Sequence, residues 1–593
     1  MHANNMKNGI VTLFVLFVFS TIVLAQGALP PLERIISIEA KDQKIADILK
    51  SIGQTGGFTF SYSSKAFQSK EVKSISVQQK SVRETLELLF DGSIQYKQKK
   101  NYIILSKAAD KEIVVSGYIT DNKTGERLKA VSVYDPVSLR SAITDEYGYF
   151  QLSIDKEKSK EQLEIAVQKS QYETSTLKVS GKKSSFNSVS LGVDKVKWKK
   201  FTDSVDSKVN RFWKLTKTSV GNINLTNIRD TLHRSWQVSF VPFVGTNHKL
   251  SGNVVNDLSL NILGGYSAGT TGAEFGGLFN IDRGDVQYGQ FAGLFNLNGG
   301  TTQGAQFAGL FNVNLGPTKD FQSAGLFNVN VDATNAIQLA GLVNMNAENS
   351  SGAQLAGLIN TAMKGYEGAQ VAGLINFSTK KHRGAQVAGL ININTGRLYG
   401  SQVSGLLNVG NKIKGSQVGL LNIADSVSGV PFGLLSFVGK GYHKIEIAAD
   451  EIMPVHVSFR TGVNRLYNIF TAGVRPSSAD TVTWMFGYGL GTAPKITKWL
   501  SLNIDATANQ LVKGNVEKLN LINRLYVGFD FHLTKNLSLT AGATYNLRIF
   551  DSAFQNHADL FTYAKPTVIT KGELNDRYNY QGWFGAKVGI RFL

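Results

Sequence analysis

The chain of 593 residues contains no cysteine. That excludes disulfide scaffolds, thiol nucleophiles, Cys-ligated zinc, iron–sulfur clusters and a bacterial lipid anchor on Cys. Histidine is limited to 8 residues, and neither His-Glu-x-x-His nor Gly-x-Ser-x-Gly occurs, so catalytic chemistry has little support and no cofactor is implied. Proline is scarce at 10 beside 59 glycines, which favours strands and tight turns over long helices. Long apolar runs are also missing, with one exception. Lys7 precedes Ile10 to Ala25, a run of 16 residues that is short for a membrane helix of about 20. Val23-Leu24-Ala25 before Gln26 then reads as a cleavage site, with Ala25 and Gln26 flanking the cut of an export signal over 1–25. No later stretch is a helical span, so any further membrane insertion is expected through a β-barrel. The net charge of +19 includes a basic stretch, Lys195 to Lys217, expected as a solvated linker over 194–234. Nucleic acid is not expected as a partner of an exported chain.

What is present begins with a small α+β module over 32–107. The pattern predicts strands at Arg34–Glu39, Phe58–Tyr62, Ser74–Val77 and Gln95–Leu105, and helices at Ile45–Gly53 and Val82–Phe90. Ile45, Ile48, Leu49 and Ile52 share one helix face, as do Val82, Leu86, Leu89 and Phe90. Ile45-Ala46-Asp47-Ile48-Leu49, Thr55-Gly56-Gly57-Phe58-Thr59-Phe60-Ser61-Tyr62, Ser81 to Leu89 and Asn101 to Leu105 carry a resemblance. The module resembles the secretin and TonB short N-terminal (STN) domain. That resemblance implies a position in the periplasm of a Gram-negative bacterium and contact with an inner-membrane signalling partner of the anti-sigma type.

A second module, 111–193, alternates over short strands around Val114, Gly117-Tyr118-Ile119, Val131 to Tyr134 and Tyr149 to Leu152. Turn chemistry at Asp121 to Gly125 and Thr144 to Gly148 separates them, which predicts an antiparallel sandwich of about seven strands. Gly117, the Asp121 to Gly125 turn, Thr144-Asp145 and Gly148-Tyr149-Phe150 are similar to a carboxypeptidase regulatory-like domain. The resemblance implies a rigid extracytoplasmic spacer without peptidase chemistry. Gln171 stands before Tyr172 where that family has glycine.

The remainder, 235–593, opens with repeats over 273–438. Gly-Leu-x-Asn recurs with its glycine at 277, 293, 309, 325, 341, 357, 373, 389 and 405, always 16 residues apart, then at 419 and 433 after steps of 14. By alternation Phe307, Gly309, Phe311 and Val313 share one face, and Gln306, Ala308, Leu310 and Asn312 the other. Two architectures fit. In a transmembrane antiparallel barrel each repeat is one strand, with the apolar face on lipid and Gln and Asn inside. In a β-solenoid each repeat is one coil with stacked Asn ladders. The near-palindrome Gln-Phe-Ala-Gly-Leu-Phe-Asn favours the barrel, whereas the constant spacing lacks the usual alternation of short turns and long loops.

Later segments alternate in the same way: Leu500 to Asn509, Leu537 to Arg548 and Phe584 to Phe592. With two strands before the repeats and about eight after them, a single barrel of about twenty-one strands is expected over 235–593, with Trp236, Trp484, Tyr488, Trp499 and Tyr526 as interfacial aromatics. Arg460, Asp505, Asp530, Arg548, Lys587 and Arg591 are candidate interior charges that would bias passage of ions or solutes. The fold class expected is thus multidomain: a small α+β domain, a β-sandwich and a large all-β region. The function expected is a non-enzymatic outer-membrane protein, partnered by outer-membrane lipid, for envelope signalling or passive passage. The alternatives are an adhesive surface-repeat solenoid and a degenerate TonB-dependent receptor lacking its plug.

Overall fold

The computed structural model describes residues 29–63, 66–68, 71–107, 111–194, 220–476, 482–513, 518–554, 564 and 566–593. The expected cleavage site at Ala25 and Gln26, and most of the linker, lie outside the described residues. The chain divides into two compact units, 1–232 with 247–253, and 233–246 with 254–593.

In the first unit, the helix Ile45–Gly56 buries Ile45, Ile48, Leu49 and Ile52. It stops at Gly57, whose left-handed backbone (φ 70°) directs its N–H to the Gln54 carbonyl. The helix Val82–Phe90 starts on a capping box: Ser81 Oγ accepts from the Glu84 N–H at 3.1 Å, and Glu84 Oε2 accepts from the Ser81 N–H at 3.0 Å. Strands Ile35–Lys44 and Val72–Ser81 pair antiparallel, and Thr59–Tyr62, Tyr102–Lys107 and Ile94–Lys99 form a second sheet. The single strand expected at Gln95–Leu105 is a hairpin, because Lys100 turns with φ 53°. The second module packs sheets of four and three strands around Val115, Ile119, Val133, Phe150, Leu152 and Ile165. Gln171 adopts φ 75°, so the turn that glycine would make freely is kept at a steric cost.

The two modules share a buried polar seam. Glu33 accepts from Arg83 Nε at 2.8 Å, Arg127 Nη1 at 3.1 Å and the Tyr118 hydroxyl at 3.2 Å. Arg83 lies over the Tyr149 ring and Arg127 over the Tyr118 ring, each 3.8 Å from the centroid. Glu87 accepts from the Tyr96 hydroxyl and from Ser116 Oγ. Burial pushes the Glu87 carboxyl above its ordinary pKa, and burial pushes the Tyr118 hydroxyl up to about 12.

In the second unit the repeats correct the single-barrel expectation. Each repeat is one coil of a parallel solenoid. Gln306 pairs in register with Gln290 and Gln322, and Asn312 with Asn296 and Asn328, each step being 16 residues. The segment read as a palindrome is a bent pair of strands, Ala305–Ala308 and Phe311–Asn314, joined by a Gly309-Leu310 corner. The corner interrupts alternation, so Leu310 is exposed rather than facing inward with Gln306 and Asn312, which are fully buried. Coil stacking explains the glycine. A Cβ on Gly309 would stand 2.0 Å from the Gly293 carbonyl oxygen, and Gly325, Gly341 and Gly357 are equally close to the preceding glycine.

The interior of the stack is polar, and its central coils are paired into amide ladders, whereas Asn394 Oδ1, Ser404 Oγ and Gln417 Oε1 in the later coils are buried without a partner. Asn328 Nδ2 donates to Asn344 Oδ1 at 2.9 Å and to the Leu339 carbonyl at 2.7 Å, and Asn344 repeats the pattern with Asn360 and Leu355. Gln338, Gln354, Gln370 and Gln386 form a second ladder with bonds of 2.7–3.1 Å. In the low dielectric of the interior such fully paired amides are stable, whereas one missing partner is costly. The outward positions Phe307, Leu355, Val371, Val387 and Val403 are exposed by 38–41%. Phe279, Phe295, Phe311 and Phe327 stack face to face at 5.0–5.2 Å down the coils. Beyond the exposed apolar position that follows the second strand (Val331, Met363), Lys319, Asn335, Ser351, Glu367 and Arg383 follow one polar register line. Each coil is therefore apolar over the strand pair and its corner, and polar along the returning edge.

The barrel begins only at Tyr442. Eight antiparallel strands, Tyr442–Asp450, His456–Val463, Leu466–Arg475, Thr483–Thr492, Leu500–Lys513, Asn520–His532, Leu537–Asp551 and Tyr578–Phe592, pair in sequence, and the last closes on the first. A short strand, Thr570–Glu573, pairs additionally with the last. The final solenoid coil docks on outward positions of this barrel: Asn468 Nδ2 donates to the Gly433 carbonyl at 2.7 Å, and Thr461 Oγ1 to the Ser436 carbonyl at 3.0 Å. Among the described residues no helix is long and apolar enough to cross a membrane, which says nothing of strands.

Candidate functional site

Alternation decides what the barrel encloses. Ser501, Asn503, Asp505 and Asn509 point inward and are buried, whereas Ile504 points outward and is 37% exposed. The same parity puts Trp484, Phe486, Leu525, Val527, Phe529, Phe584 and Val588 outside, all exposed. Every strand therefore delivers polar side chains to one axis.

Those side chains meet in one network. Arg460 donates to Asp505 at 2.8 Å and to Glu446 at 2.9 Å. Arg591 donates to Asp530 at 2.5 Å, to Asn503 at 2.8 Å and to Glu446. Lys587 Nζ lies 3.1 Å from Glu446, 3.8 Å from Asp505 and 3.7 Å from the centre of the Tyr526 ring. A second cluster joins Arg524 to Asp450 at 2.5 Å, with His456 3.5 Å from the same carboxylate. Four carboxylates (Glu446, Asp450, Asp505, Asp530) thus face four cations (Arg460, Arg524, Lys587, Arg591). Their charges nearly cancel, so the axis carries no strong field of either sign.

Five of the six interior charges expected from sequence, Arg460, Asp505, Asp530, Lys587 and Arg591, come together here. Arg548 is also interior but stands apart, donating to Asn520 at 2.7 Å and to Gln581 at 3.3 Å. The hub, Glu446, escaped sequence reading, although Ile445, Ile447 and Ala449 alternate with Glu446, Ala448 and Asp450. Tyr526, expected at a membrane interface, is instead interior, its hydroxyl 2.8 Å from Thr540 Oγ1. Trp484 and Trp499 are exposed, and Tyr488 bonds the Gly433 carbonyl of the docked coil at 3.2 Å. Trp236 is exposed too, but on the strand Leu232–Val241 that leads into the solenoid.

The enclosed space is nearly filled. Around His456, Arg460, Asp505, Arg524 and Lys587 a void of about 20 Å³ remains, room for about one water. At one mouth the connection after the first strand turns in, and Ile452 and Met453 pack fully buried against Met485, Leu511, Ile522 and Trp583. Glu451 holds it there, accepting from Asn546 Nδ2 at 2.7 Å and Trp583 Nε1 at 3.2 Å. Among the described residues no three metal-ligating side chains converge. No family model, curated protein or solved structure matches the chain.

Proposed function

We infer that the chain is a non-enzymatic, non-conducting outer-membrane protein, a barrel-anchored scaffold that carries its two N-terminal modules as a docking unit. The observation that carries this reading is the inversion shared by barrel and solenoid: sealed polar interiors and apolar exteriors. A water-soluble sheet protein buries its apolar face instead. The barrel strands are 8–15 residues long, and ten residues at about 3.3 Å per residue, tilted by about 40°, span about 25 Å, the height expected for the apolar band of an outer-membrane barrel. The docked last coil makes the outer surfaces of barrel and solenoid continuous, so the apolar half of each coil meets the same hydrocarbon. Against solute passage stand the charged network, which surrounds a void of about 20 Å³, and the buried Ile452-Met453 lid.

The first module's likeness to STN domains supports a periplasmic place and a partner of the anti-sigma type, and the seam around Glu33 and Arg83 supports presentation of both modules as one body. Membrane fractionation, gel migration with and without heating, and planar-bilayer recording test the proposal together. Expected are outer-membrane recovery, a heat-modifiable band and no conductance steps. Recovery as a detergent-independent soluble protein, as an adhesive solenoid requires, would overturn the membrane reading. Ohmic conductance would overturn the sealed barrel.

A further inference from the structure

The returning edge of the solenoid changes character near its end. Along the line Lys319, Asn335, Ser351, Glu367, the side chains are mixed in charge. The next three coils then place Lys381, Arg397 and Lys412 in register, with Arg383, Tyr399 and Lys414 in register beside them. Parallel neighbours stand about 4.8 Å apart, so like charges are stacked directly on one another, an arrangement that repels unless an anion lies between them. Arg383 has Glu367 at 4.0 Å. Among the described residues no carboxylate lies within 4.0 Å of Lys381, Arg397, Lys412 or Lys414.

The cations converge on one ring. Lys381 Nζ, Lys414 Nζ and Arg383 Cζ lie 5.6, 5.7 and 5.9 Å from the centre of Tyr399, and Arg397 Nη1 donates to its hydroxyl at 3.2 Å. Of these, Lys381 and Arg397, with Tyr399 and Lys412, line an open groove of about 540 Å³; Gly396 lines it too, and a Cβ there would collide with the Lys380 carbonyl oxygen at 1.5 Å. The same coils carry exposed Val387, Leu390, Val403 and Leu406 on the apolar half. A cluster of ammonium and guanidinium donors beside an apolar sheet matches a phosphate group attached to a hydrocarbon tail.

We propose that Lys381, Arg397, Lys412 and Lys414 around Tyr399 bind the phosphate headgroup of a phosphorylated amphiphile whose chain lies on the apolar half of the neighbouring coils. The hydrocarbon part of this proposal rests on the lipid-facing reading of the solenoid. The phosphate part does not.

The test uses the full chain in maltoside micelles and titrates it with dodecyl phosphate and, separately, with inorganic phosphate. Dodecyl phosphate should bind at least tenfold more tightly than inorganic phosphate. The K381Q/R397Q/K412Q/K414Q variant, which changes only exposed side chains, should lose at least tenfold in dodecyl phosphate affinity, and rising salt should weaken the wild type. Equal binding by variant and wild type, or no binding, would overturn the site. Equal affinity for the two probes would overturn the amphiphile assignment. The variant should still insert into zwitterionic phosphatidylcholine liposomes. Failure of the wild type to insert there would sink the membrane reading while leaving phosphate binding in micelles to be judged separately.

Discussion

Asn344 offers the sharpest energetic test of the inverted solenoid. Its Nδ2 donates to Asn360 Oδ1 at 3.0 Å and to the Leu355 carbonyl at 2.8 Å, while its Oδ1 accepts from Asn328 at 2.9 Å. Asn344→Leu removes the partner of one donor, on Asn328, and of two close acceptors, Asn360 Oδ1 and the Leu355 carbonyl, in a fully buried ladder, besides a weaker 3.3 Å contact to the Gln338 carbonyl. At about 1–3 kcal/mol for each orphaned group, with partial relaxation, the loss is about 3–6 kcal/mol. Because each coil contacts only its neighbours, the damage is local. Hydrogen exchange read by mass spectrometry should show protection across 328–362 falling by about 10²–10⁴-fold, at 1.4 kcal/mol per tenfold. Asn335→Leu, at an exposed position of the adjoining edge, should shift exchange by no more than about 0.5 kcal/mol. If Asn344 faced water inside a wide barrel, the two variants would behave alike, and that result refutes the reasoning.

Three further outcomes follow from the same geometry. Gly341→Ala sets a Cβ 2.0 Å from the Gly325 oxygen and should cost about 2–3 kcal/mol in thermal melts followed by circular dichroism, whereas Gly439→Ala, whose nearest neighbour is 3.6 Å away, should be near neutral. Gln171→Gly relieves the left-handed strain at φ 75° and should stabilise the second module by ~0.5–1 kcal/mol, raising its denaturant midpoint. The Glu87 carboxyl, raised by burial, binds its proton more tightly in the folded state. Its contribution is therefore complete below the ordinary carboxyl pKa of 4.5 and is lost as pH rises from there through the raised folded value. Exchange protection over the helix Val82–Phe90 should fall across that window, and Glu87→Gln should flatten the fall.

Facing was legible in the sequence for Phe307, Gln306 and Asn312 but not for Leu310 at the corner or Tyr526 in the barrel, and which strands pair was not legible. Period-two alternation put Phe307 outside and Gln306 and Asn312 inside, and both architectures share that assignment. Pairing depends on what lies between strands, and the near-palindrome pointed to antiparallel neighbours when it encodes a corner. Two signals pointed the other way. The 16-residue step never alternates in length, and Gly309 has no role in an antiparallel strand but a steric one in a coil stack. The eight segments counted after the repeats do form a barrel, closed on itself without the repeats. In the site, Asp505, Lys587 and Arg591 were found because they interrupt long alternating strands. Glu446 was missed although Ile445, Ile447 and Ala449 alternate with it on Tyr442–Asp450, because nothing in the local pattern marks that strand as the one on which the last strand closes. The seam of Glu33, Arg83, Tyr118 and Arg127 had no local signal, since its partners lie 50 to 94 residues apart.

The proposed contact of each coil's apolar half with hydrocarbon is directly measurable, because the chain has no native cysteine. Single cysteines replacing Leu355, Val371 or Val387 on one side, and Asn335, Ser351 or Glu367 on the other, can carry spin labels in the full chain reconstituted into phosphatidylcholine liposomes. Power saturation should show the first three relaxed mainly by oxygen, which concentrates in the bilayer, and the second three mainly by a water-soluble nickel complex. Equal exposure of both sets to nickel would contradict the account.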